Sequence, residues 1–135
     1  MGWTGQIPRY FNLNGSIDRK KECDAYCDNW PNHKILESTM IGSTYFAAVE
    51  NTEDNKREVF ALIIITNVIN DGKYKEFQYK DMSEDVGPNE NYCPLSILKL
   101  LTPTDSEYAL NWRRRCYKRH GKNMPQGQYV TENLF

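Results

Sequence analysis

The run "REVFALIIIT" at residues 57–66 constrains this chain more than any other stretch. Seven apolar residues stand in succession there, rich in Val, Phe and Ile. The run is far too short to cross a membrane as a helix, which takes about 20 residues. Its length and β-branched content predict a central strand buried on both faces. Such a strand needs a neighbour at each edge and a covering layer, so the rest of the sequence has to supply them.

The flanking segments read as those neighbours. "HKILESTM", a break at Gly42 and "STYFAAVE" predict a hairpin, and "NTEDNK" is the polar turn into the central run. Asp71-Gly72 signals a second hairpin, leading into an aromatic-rich strand in "KYKEFQYKDM". The aromatics there do not alternate perfectly, which leaves room for a bulge. An edge strand at residues 76–80 could pair across a two-fold axis, though nothing requires it.

Helices bracket these strands. "SIDRKKECDAYCDNWP" reads as a helix capped by Asp18 or Ser16, because a short side-chain oxygen can accept from free first-turn amides. Cys23, Tyr26, Cys27 and Trp30 form its apolar stripe, and Pro31 ends it. "CPLSILKLL" is a short helix with Pro94 at its start. Thr104-x-x-Glu107 has the form of a capping box for a last helix, which Gly121 terminates. The predicted fold is α+β. It has about four antiparallel strands, with an N-terminal helix and two C-terminal helices mainly on one face. Residues 1–135 make a single domain, with an irregular arm at 1–15 (a short strand at 9–13 and a turn at Asn14-Gly15) and a loose tail at 123–135.

Composition narrows the functional classes. The chain has 135 residues, with 39% hydrophobic, 26% charged and 13% aromatic. That describes a folded domain with core enough to stand without crosslinks. Seventeen basic residues oppose 18 acidic ones, so whole-chain charge does not favour a general nucleic-acid binder. The charges are segregated, however: residues 81–90 are acidic and 113–122 basic, and such patches steer charged partners. No run of 18 apolar residues occurs, so no membrane partner is expected. The N-terminus has neither a secretory pattern nor a myristoylation motif, because Gln6 stands where Ser or Thr is needed. A cytoplasmic location with reduced thiols is therefore expected.

Residues 105–120 carry the main functional signal. On a helix, Tyr108, Ala109, Trp112 and Cys116 share a face that is expected to dock on the sheet. Arg113, Arg114, Arg115, Lys118 and Arg119 are then left outside as a basic set for an anionic partner, either protein or nucleic acid. The competing structural reading is that cations in the last turns simply oppose the negative helix end. Asp81, Glu84 and Asp85 form a second, acidic set on a loop suited to protein contact. Together with Glu90, those carboxylates could hold a hard cation, but no calcium-loop order of ligands is present. Cys23, Cys27, Cys93 and Cys116, with His33 and His120, match no zinc spacing and no nucleophile–base arrangement. No cofactor and no catalytic residue is assigned.

An ordered series of segments spanning roughly residues 1–118 resembles a known family. The segments are "MGWT", "GSIDRKKECDAY", "KILESTMIGSTYFAAV", "REVFALIIIT", "YKDMSEDVGP" and "CPLSILKLLTPTDSEYALNWRRRC". The family comprises small proteins of unknown function encoded by phages and conjugative or integrated elements of Gram-positive bacteria. Its members often carry histidines after the opening Trp. Here that segment reads "TGQIPRYFNLNGS", without one, so no role attaches to them. The resemblance implies a bacterial cytoplasm and a small accessory protein, of the kind that blocks restriction or CRISPR defences. The expected function is thus a non-enzymatic protein that binds a host or element-encoded partner, for example a nuclease. The alternatives are a nucleic-acid-binding module using the basic helix and a metal-dependent hydrolase using the acidic loop. The oligomeric state is not legible.

Overall fold

The computed structural model describes residues 4–69, 74–84 and 92–128. Its frame is an antiparallel sheet of four long strands, β2 (His33–Ile41), β3 (Thr44–Asn51), β4 (Arg57–Ile69) and β5 (Tyr74–Ser83). The short β1 (Thr4–Gln6) adds a fifth strand against β5, giving the order β1-β5-β4-β3-β2. The apolar run lies in β4, at the centre, as its composition predicts. Gly42 turns β2 into β3 with φ of 60°, a conformation that glycine adopts without a Cβ clash. The Asp71-Gly72 turn lies outside the described residues, but Ile69 faces Tyr74 across the β4–β5 register. Residues 77–79 of β5 are covered by β1, so they do not form the open edge expected of 76–80.

Side chains alternate across a strand, so one strand can feed two cores. In β3, Tyr45, Ala47 and Val49 join Leu62 and Ile64 of β4 under α1 (Arg19–Asp28), where Cys23 and Cys27 close the cluster. Phe46 and Ala48 point the other way. They meet Val59, Ala61, α2 (Leu95–Leu98) and α3 (Glu107–Arg119) through Ile97, Leu98, Trp112, Cys116 and Tyr117. The α+β class therefore holds, and the two C-terminal helices share one face. The N-terminal helix covers the opposite face, so the molecule has three layers. Ala47 and Ala48 explain why: a small residue on each face lets a helix approach both sides.

Local signals are mostly realised. Asp18 caps α1, accepting from the Lys21 amide at 3.1 Å. Ser106, and not Thr104, caps α3 by accepting from the Ala109 amide. The Thr104 hydroxyl accepts from the Ser106 amide instead, which seats the cap. Gly121 closes α3 with φ of 71° and donates to the Lys118 carbonyl. The arm is more ordered than expected, because Phe11 and Ile17 form an isolated bridge rather than a strand at 9–13. The tail is also less loose than expected up to residue 128: Gln126–Gln128 make a 3-10 turn and Gln128 is buried.

Candidate functional site on the last helix

The orientation of α3 decides which cations are available. Its buried residues are Ala109, Leu110, Trp112, Arg113, Cys116 and Tyr117. Tyr108, expected inside, is exposed. The buried stripe is thus rotated by about 70° from the one anticipated. Leu110 and Tyr117 are drawn in, and Arg113 falls in the middle of the stripe.

Arg113 is consequently no surface residue. Its guanidinium donates to both carboxylate oxygens of Glu84, from Nε at 2.7 Å and Nη2 at 2.6 Å, with both side chains only 1% exposed. Its Nη1 donates to the Thr102 carbonyl at 2.8 Å and to Gln128 Oε1 at 2.9 Å. A buried charge is tolerated only when paired and hydrogen-bonded, and both conditions are met here. The network ties β5, the α2–α3 link, α3 and the C-terminal turn together. It removes Arg113 from the basic set and Glu84 from the acidic set.

The remaining members separate cleanly. Arg114, Arg115, Lys118 and Arg119 are exposed on the outer face of α3, with Lys122 just beyond. Arg114 donates to Asn111 Oδ1 at 2.5 Å. The helix and the turn after it contribute no carboxylate of their own between residues 108 and 128. Tyr108 stands exposed one turn ahead of Asn111 and two turns ahead of Arg115, which adds an aromatic to the same surface.

Asp81 and Glu84 do not form a patch. Asp81 lies on the α1 side, where its carboxylate accepts from the Tyr26 hydroxyl at 3.0 Å. Glu84, just past the end of β5, points into the α3 side, and Asp85 lies outside the described residues. Opposite faces of the sheet thus take what the linear sequence places together.

The thiols are core groups. All four cysteines are buried. Burial pushes the Cys27 and Cys116 thiols up to about 12, although hydrogen bonding opposes it at both positions. Burial raises Cys23 and Cys93 further still. Such thiols carry negligible thiolate at neutral pH, and thiolate is the nucleophilic form. Among the described residues, no group of three or more His, Cys, Asp and Glu is placed to hold a metal ion. No helix among them is long and apolar enough to cross a membrane. Comparison with protein-family models, curated proteins and solved structures finds no match.

Proposed function

We propose that this chain is a non-catalytic accessory protein that grips an acidic surface of a partner protein with the outer face of α3. One observation carries this reading: Arg114, Arg115, Lys118 and Arg119 project from a helix whose inner side is immobilised by the buried Arg113–Glu84 pair. A braced helix presents its cations with little ordering cost on binding. Arginine and tyrosine are the side chains that most often anchor protein interfaces, and Tyr108 supplies the aromatic. The resemblance to accessory proteins of phages and mobile elements supports a host defence protein, such as a restriction or CRISPR nuclease, as that partner.

A second reading has its own support. A basic helix segment that carries no carboxylate of its own and one exposed aromatic also suits phosphates and base stacking, as in a nucleic-acid-binding module. Against it stands the net charge of −1, which gives the whole chain no general attraction for phosphates.

Both readings are separated by the double variant Arg114→Glu/Arg115→Glu. Affinity capture from element-bearing bacterial cells should recover a stoichiometric protein with the native chain and lose it with the variant. Gel-shift titration of RNA and DNA over a range of salt should show no retention. Retention that weakens steeply with salt would move the assignment to nucleic acid.

A further inference from the structure

A second surface stands on the α1 side of the sheet, away from α3. Residues 10–18 form a small hairpin. The Asn12 amide donates to the Ser16 carbonyl at 2.8 Å, and the Asp18 amide donates to the Tyr10 carbonyl at 3.1 Å. Asn12 Nδ2 donates to the Ser16 hydroxyl, and the Ser16 amide and hydroxyl both donate to Asn14 Oδ1. Gly15 takes the left-handed turn position with φ of 87°. The base is clamped by Glu22, a buried carboxylate that accepts from the Arg9 and Tyr10 amides at 2.6 Å each. Ile17 packs into the core beneath α1.

The side chains this braced hairpin holds out are apolar. Leu13 is fully exposed at the tip and Phe11 is more than half exposed beside it. A tight turn normally carries polar residues at its tip. Around the hairpin lie four cations. Arg9 and Lys21 both stack near the Tyr10 ring, at 5.8 and 5.1 Å from its centre. Arg19 and Lys20 border the hollow of about 470 Å³ between the hairpin and Met40. Residues 7–24 hold these four cations and three carboxylates, Asp18, Glu22 and Asp24, each of the three engaged within the fold. Asp18 is engaged in capping α1. Glu22 is buried against the Arg9 and Tyr10 amides, and Asp24 accepts from Lys20 at 3.0 Å.

We propose that this hairpin docks the protein on an anionic lipid surface, Phe11 and Leu13 entering the headgroup layer while Arg9, Arg19, Lys20 and Lys21 meet the lipid phosphates. Apolar residues on a convex tip with a collar of long cations are what interfacial binding requires. Each cation near an anionic leaflet strengthens binding about five-fold. The cations complement lipid charge, and a fluid headgroup layer admits a protruding knob without a matching pocket. The lack of a spanning helix bears on crossing a membrane and not on contact with one. Because α3 lies on the opposite face of the sheet, a docked molecule turns its basic helix away from the bilayer.

Flotation of the full chain with vesicles of phosphatidylglycerol and phosphatidylcholine in equal parts tests this against vesicles of phosphatidylcholine alone. The native protein should float with the anionic vesicles and stay behind with the neutral ones. Phe11→Ser/Leu13→Ser should weaken anionic binding by about 100-fold, roughly ten-fold for each anchor. Lys20→Glu/Lys21→Glu should abolish it. Arg114→Glu/Arg115→Glu should leave it unchanged, which distinguishes failure here from failure of the α3 surface. Native-like melting of the variants confirms folding, since the altered side chains are exposed. The proposal is overturned if the native chain does not float, if the Phe11/Leu13 variant floats as well as native, or if only the α3 variant loses binding.

Discussion

Arg113 ties several parts of the fold together, because four acceptors converge on it inside the protein. Removing one partner leaves a buried charge uncompensated. Arg113→Ala or Glu84→Gln is therefore expected to cost about 3–5 kcal/mol in urea denaturation. The double replacement Arg113→Met/Glu84→Leu should recover much of that loss, since an apolar pair leaves no stranded charge. The thiols give a pH prediction of definite sign. Burial holds Cys27 and Cys116 at about 12 in the folded state, against 9.0 for a free thiol. The unfolded chain thus loses these protons first. Stability from them is complete below pH 9 and falls as pH rises from 9 towards 12. Denaturation midpoints at pH 7, 9 and 10.5 check this, and a flat profile would show the thiols to be solvated. Asp24 acts at the acid end. Burial pushes its carboxyl up, but hydrogen bonds from Tyr45, Ser38 and Lys20 outweigh burial and hold it below the usual range. Its contribution is present at neutral pH and is lost as pH falls through that lowered value.

At the scale of elements, α3 depends on its two ends. Ser106→Ala removes the acceptor for the Ala109 amide and should cost about 1 kcal/mol. Thr104→Ala should cost less, because Thr104 only seats the cap. Gly121→Ala forces a Cβ into the left-handed region and should cost about 1 kcal/mol, although nothing crowds the position. Thermal melts of the three variants rank them. Of the two edge strands, β1 and β2, the longer is β2, and it is guarded. It carries Lys34 and Glu37, and a register irregularity falls between Ile35 and Glu37. Charges and bulges of this kind disfavour edge-to-edge pairing.

At the scale of the molecule, the sheet serves two cores at once. Tyr45 and Phe46 are neighbours in sequence but belong to different clusters, and β4 divides Val59 and Ala61 from Leu62 and Ile64 in the same way. Disturbing either core should therefore unfold both. Ala47→Leu crowds the α1 side and Ala48→Leu the α3 side, and each should destabilise by about 1–3 kcal/mol through overpacking. Both variants should still melt in one transition, with fluorescence and circular dichroism coinciding. Two separated transitions would mean that the layers fold independently. The three layers also set the two proposed surfaces on opposite sides, the cationic helix on one and the apolar hairpin on the other.

Residues 59–65 are apolar without interruption, and that alone dictated a central strand with both faces covered. The hairpins joining β2 to β5, the glycine turns, the helix positions and the inward Trp112 follow from patterns within a few residues of each other, where steric preference and periodicity act. By contrast, β1 pairs with the distant β5, and that pairing was not legible. The partner of Arg113 could not be read that way. Glu84 is 29 positions away, and a lone arginine beside Trp112 is by habit placed in water. A signal did exist, since Leu110 and Tyr117 flank Arg113 on the helix and mark its position as internal. Only the packed structure decided the matter, because the desolvation of a guanidinium is offset solely by a carboxylate that the chain brings back from another element. The same long-range packing set α1 and α3 on opposite faces: periodicity states that a helix has an apolar stripe, and the space beside Ala47 or Ala48 determines where it docks.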